Sequence, residues 1–141
     1  MLHRMTRAVA PGTKVLVAED DEELRAVVVE ALRDDGYTVA EARDGAELLS
    51  MLNDSLPDPA KRPDVVVADV RMPKLSGLGV LEQLKHDRVR VPVVIITGFA
   101  PQSVSVVARR LGAVGVLRKP FDLDDLRTAV MNAGSRPRAN A

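Results

Sequence analysis

Five short apolar runs recur along this chain, and each is followed by a stretch whose apolar residues fall at helical spacing. The most constraining run is VVVADVRMP, residues 65–73. Three valines and an alanine lead to Asp69, and the chain then breaks towards Pro73. A continuous apolar run cut off by a polar residue marks a strand buried on both faces. The spacing predicts strands over residues 14–18 (KVLVA), 37–42 (YTVAEA), 64–69 (DVVVAD), 92–97 (PVVIIT) and 114–118 (VGVLR).

The intervening segments read as helices. Residues 21–35 carry Leu24, Val28, Ala31 and Leu32 on one face, with acids at the start and Gly36 at the stop. Residues 44–52 follow, with Asp44 as cap. Residues 77–87 align Leu78, Leu81 and Leu84. Residues 101–112 open on Pro101, which suits a first helical turn, and stop at Gly112. Residues 121–133 align Leu123, Leu126 and Val130. Strands alternating with helices require right-handed crossovers and a parallel sheet covered on both faces. The expected fold is therefore α/β, a flavodoxin-like doubly wound (βα)5 domain with a five-stranded parallel sheet in the order 2-1-3-4-5.

A length of 141 residues suits one such domain and no second one. The expected division is a flexible lead-in over 1–12, the domain over 13–133 and a disordered tail over 134–141, with a proline-rich loop over 53–63. Lys+Arg and Asp+Glu balance at 20 each, so no overall field favours nucleic acid or an anionic membrane. With no cysteine, disulfides and thiolate metal sites are excluded, and with no signal-peptide or membrane-length apolar run a cytoplasmic location is expected.

The order 2-1-3-4-5 gathers the carboxyl ends of four strands into one crevice, where open α/β folds bind their ligands. Those ends carry Glu19 and Asp20, then Asp69, then Thr97, then Lys119 followed by Pro120. Taken singly, each has an ordinary use: an acid favours a helix N-terminus, a threonine suits a strand, a lysine suits a surface. Taken together they require four unrelated accidents. Several carboxylates in one site need a cation to stay ionised. Mg²⁺, a hard ion held by one or two carboxylates plus phosphate oxygens, meets that need. A carboxylate nucleophile beside Mg²⁺, an ammonium and a hydroxyl is equipped to accept a phosphoryl group.

These residues resemble the receiver domains of response regulators in two-component signalling. The motifs VLVAEDD, VVVADVRMPKLSGL, VVIITG and GAVGVLRKPF carry the likeness, which extends from about residue 14 to 133. The resemblance implies that Asp69 is the phosphoacceptor. It implies that Asp20 holds Mg²⁺ directly, that Glu19 acts through water, and that the Arg71 backbone carbonyl is a further metal ligand. The run of three acids also allows the register Asp20-Asp21 for the pair, although the VLVA strand favours Glu19-Asp20. Thr97 resembles the switch hydroxyl, and Lys119 the family's lysine, whose bond to the following proline is usually cis. One position departs from the pattern. Where such domains commonly carry Tyr or Phe three residues before the lysine, this chain has Val116. Switching is accordingly expected to remodel the loop of Gly98 and Phe99 instead.

The expected function is phosphoryl acceptance on Asp69 from a sensor histidine kinase or a histidine phosphotransfer protein, dependent on Mg²⁺. The signal would pass to a downstream protein through the face formed by helix four, strand five and helix five. The chain would catalyse only its own phosphorylation and dephosphorylation, without nucleic-acid or membrane partners. The alternatives are a receiver cut from a larger hybrid kinase or regulator, and a scaffold receiver that is never phosphorylated. An aspartyl-phosphate hydrolase would want a second acid at position 71, where Arg71 stands. A flavin or nucleotide binder would want phosphate-cradling glycines where EDDEEL follows strand one.

Overall fold

The structure is a computed structural model that describes residues 12–98 and 102–135. Its elements run β1 (Lys14–Ala18), α1 (Glu22–Asp34), β2 (Thr38–Ala42), α2 (Gly45–Ser55), β3 (Val65–Asp69), α3 (Gly77–His86), β4 (Val93–Thr97), α4 (Gln102–Arg110), β5 (Gly115–Arg118) and α5 (Leu123–Gly134). The five strands form one parallel sheet in the order β2-β1-β3-β4-β5. Fold class and strand order are those expected. Four of the five strands begin one residue later than expected, and all five end where expected.

Side chains alternate across the strands and so divide the core in two. Leu16, Ala18, Val66, Ala68, Val93 and Ile95 face α2, α3 and α4. Val15, Val17, Val65, Val67, Val94 and Ile96 face α1 and α5. Every residue of β3 and β4 is buried, which is why those two runs are apolar throughout. The edge strand β2 is buried only at Val39 and Ala42, one on each side of the sheet. No helix among the described residues is long and apolar enough to cross a membrane.

One helix runs longer than its sequence suggests. Asn53, Asp54 and Ser55 continue α2, and the Ser55 hydroxyl donates to the Leu52 carbonyl at 2.7 Å. The helix closes at Leu56, just before Pro57 disfavours helical backbone in the preceding residue. The expected loop over 53–63 is thus shorter, and it enters β3 at the end of the sheet away from Asp69. The lead-in through residue 11 and the tail from 136 lie outside the described residues, as do Phe99, Ala100 and Pro101.

Asp21 caps α1. Its Oδ1 accepts from the backbone N–H groups of Glu23 at 3.0 Å and Leu24 at 3.2 Å. Asp44 caps α2 in the same way, accepting from Glu47 N–H at 2.8 Å. At the other end of α1 the chain leaves through Gly36, whose φ of +100° suits glycine. Asp21→Ala is expected to lower stability by about 1 kcal/mol, because two donors in the first turn lose their acceptor. Thermal melts would register this as a fall of a few degrees; an unchanged curve would show that the turn is held by other means.

Candidate functional site

The strand register sets Asp69 opposite Ile96 and Thr97 opposite Arg118. Beyond the last β1 pair, Ala18 with Ala68, the chain continues into Glu19. Lys119 N–H donates to the Thr97 carbonyl at 2.8 Å, which ties the residue after β5 to the end of β4. The crevice is therefore built by the ladder itself. Glu19, Asp69 and Thr97 are all buried, the first two at 2% exposure, in a molecule whose other carboxylates mostly face water.

Three of the expected residues meet side chain to side chain. Lys119 Nζ donates to Asp69 Oδ2 and lies 3.3 Å from Glu19 Oε1. The remaining oxygens are held by backbone: Arg71 N–H donates to Asp69 Oδ1 at 2.9 Å, and Asp21 N–H to Glu19 Oε2 at 3.0 Å. Burial first, then its hydrogen bond with Asp69, pushes the Glu19 carboxyl up to about 8, against the opposing pull of Lys119. Burial draws the Lys119 ammonium down, but Asp69 and Glu19 outweigh it and leave it raised. Two buried acids thus share one cation, which is not enough to keep both ionised, and Glu19 tends to hold its proton.

Asp20 and Arg71 are placed differently. Asp20 stands exposed at the rim, and among the described residues no three acidic, histidine or cysteine side chains converge as a metal cluster. Asp21, the other candidate for the acidic pair, gives its carboxylate to α1. Arg71 is exposed, and its backbone is turned to Asp69 by the N–H bond above. The donor chemistry fits a hard divalent cation: two buried carboxyl groups that a single ammonium does not keep both ionised, and a third acid on the adjoining residue. Val116 is half-buried against the α2–α4 side of the sheet. The loop expected to switch falls largely on Phe99 and Ala100, outside the described residues. The Lys119–Pro120 bond is cis, as the resemblance implied.

Two contributors escaped the sequence reading. Gly77 opens α3 against the end of β3, and a Cβ built there would stand 2.4 Å from the Asp69 carbonyl oxygen. No visible pattern marks such a close approach. Gly77→Ala is expected to cost about 1–3 kcal/mol by overpacking and to shift Asp69. Urea unfolding would show the loss, and wild-type stability would mean that α3 yields freely. The second contributor is Arg25, a cation interrupting the apolar stripe of α1 one turn before Val28 and Val29. That interruption was the available signal.

Comparison with known proteins now gives this geometry its context. The family model of the response regulator receiver domain matches residues 15–131. The chain belongs to the response regulator receiver family. Receiver domains are signalling domains of two-component systems rather than enzymes in the ordinary sense, and phosphorylation and Mg²⁺ binding are general features of the family. Among its relatives, the DNA-binding transcriptional regulator NtrC of Escherichia coli is 37% identical over 119 residues, 84% of this chain and 24% of that protein. The transcriptional regulatory protein PdtaR of Mycobacterium tuberculosis is 36% identical over 124 residues, 87% of this chain and 57% of that protein. The receiver thus spans about a quarter of the one and just over half of the other. The receiver domain of Francisella response regulator 1452 superposes with a TM-score of 0.79 at 29% identity, covering 86% of this chain and 96% of that one.

Proposed function

We propose that this receiver takes a phosphoryl group onto Asp69 from a phosphohistidine of a sensor kinase or phosphotransfer protein in the cytoplasm. The observation that carries the reading is the placement of Asp69, buried at the end of a central strand with Lys119 and Glu19 in contact. One Asp69 oxygen attacks phosphorus as the phosphorus–nitrogen bond to the donor imidazole breaks, and the imidazole leaves with the bonding pair. Glu19, Asp20, Asp69 and the Arg71 carbonyl are the groups that would hold Mg²⁺. When bound, the ion supplies positive charge to the carboxylates and to the transferring oxygens. Lys119 offsets charge on those same oxygens. Thr97, at the end of the neighbouring strand, is the hydroxyl that senses the new group. Phosphorylation adds charge to the crevice and biases which protein partner the surface of α4, β5 and α5 accepts.

Intact mass after incubation with acetyl phosphate, with and without Mg²⁺, tests this reading. One Mg²⁺-dependent phosphoryl adduct that maps to Asp69 is expected. A folded protein that gains no adduct under any condition would instead be a scaffold receiver without the chemistry.

A further inference from the structure

Arg25 is the one buried cation of α1, at 8% exposure. Burying a guanidinium costs free energy unless its donors are met. Here Nε donates to Glu41 Oε1 at 3.0 Å, so the edge strand β2 supplies the counter-charge. Nη1 donates to the main-chain carbonyl of Glu19 at 2.7 Å, a short charge-assisted bond to the one peptide that joins Glu19 to Asp20. The N–H of Glu19 is held as well, donating to the Ala42 carbonyl at 3.1 Å. Asp20, by contrast, is exposed, and among the described residues its carboxylate accepts no hydrogen bond. Its direction is therefore set by the backbone, and Arg25 holds the peptide from which it starts.

From this geometry we infer that Arg25 is a positioning residue for the acidic pair, presenting Asp20 to a hard divalent cation. The inference rests on the metal-binding reading given above. It makes a prediction whose sign separates position from charge. Acting through charge alone, Arg25 repels a cation, and its removal would tighten Mg²⁺ binding. Acting through position, its removal weakens binding. Residues that orient metal ligands typically alter affinity about 10–100-fold.

The test is an Mg²⁺ titration of the full chain by amide NMR, for wild type, Arg25→Met, Arg25→Lys and Asp20→Asn, each at a temperature where circular dichroism shows the fold intact. Arg25→Met is expected to raise the Kd about 10-fold or more. Arg25→Lys, which keeps the charge but cannot serve Glu19 and Glu41 together, should fall between. In metal-free protein the Asp20 amide resonance should already move in both variants. An Arg25→Met protein that binds Mg²⁺ as tightly as wild type, or more tightly, overturns the inference, and a merely lowered melting temperature does not support it. If wild type binds no Mg²⁺, or Asp20→Asn binds it unchanged, the metal-site reading fails instead. In that case the metal-free Asp20 resonance decides for Arg25, and an unmoved resonance overturns it.

Discussion

A protein carrying Asp69→Asn is expected to take up no phosphoryl group from any donor, with or without Mg²⁺, while staying folded. Asparagine keeps the shape of aspartate, so the packing around a residue at 2% exposure is preserved. Its Oδ1 can still accept the bond from Arg71 N–H that is seen in the structure. What it loses is the anionic oxygen proposed to attack phosphorus. The ion pair with Lys119 is lost too, which costs stability. Against this, Glu19 is relieved of a buried negative neighbour, and Lys119 stays beside it. The two effects oppose, so the melting temperature in metal-free buffer should remain close to that of wild type. Intact mass and a thermal melt on the same samples check both statements. An adduct of wild-type stoichiometry on the variant would move the acceptor to another residue of the crevice.

How far the sequence discloses this site follows from what holds each part. The sheet order was legible because strands alternating with helices fit a standard doubly wound order, and the runs buried throughout, β3 and β4, lie inside that sheet. Asp69, Glu19 and Lys119 were legible because a parallel sheet brings its carboxyl ends together whatever the loops do. The choice between Glu19-Asp20 and Asp20-Asp21 stayed open in the sequence. In the structure the Asp21 carboxylate serves its own helix, accepting from Glu23 and Leu24 N–H. The end of α2 was misjudged because Asn53, Asp54 and Ser55 favour turns over helix. Burial of Leu52 and Ser55 in the tertiary structure overrides that preference. Arg25 depends on Glu41, sixteen residues away on a different element, so no local window contains the reason for its burial. Gly77 depends on how closely two backbones pass, which leaves no mark in hydropathy.

In Lys119→Met, phosphoryl transfer to Asp69 and affinity for Mg²⁺ are expected to move in opposite directions. The ammonium touches both buried carboxylates, so it is the one cation the described residues place between them. Removing it takes away a charge that opposes a second cation, and Mg²⁺ should bind at least as tightly as in wild type. Transfer is different, because the phosphoryl oxygens carry charge spread over all three in the transition state. Loss of one preorganised donor to such charge costs about 10²-fold in rate. The aliphatic stem is retained in methionine, so packing changes little, and Glu19 already favours its protonated form, which limits the repulsion left behind. Labelling rates with acetyl phosphate at saturating Mg²⁺ isolate the chemical step from metal binding, and a parallel titration supplies the Kd. A variant labelled at the wild-type rate would remove Lys119 from the transfer step and leave it only the task of holding two acids together.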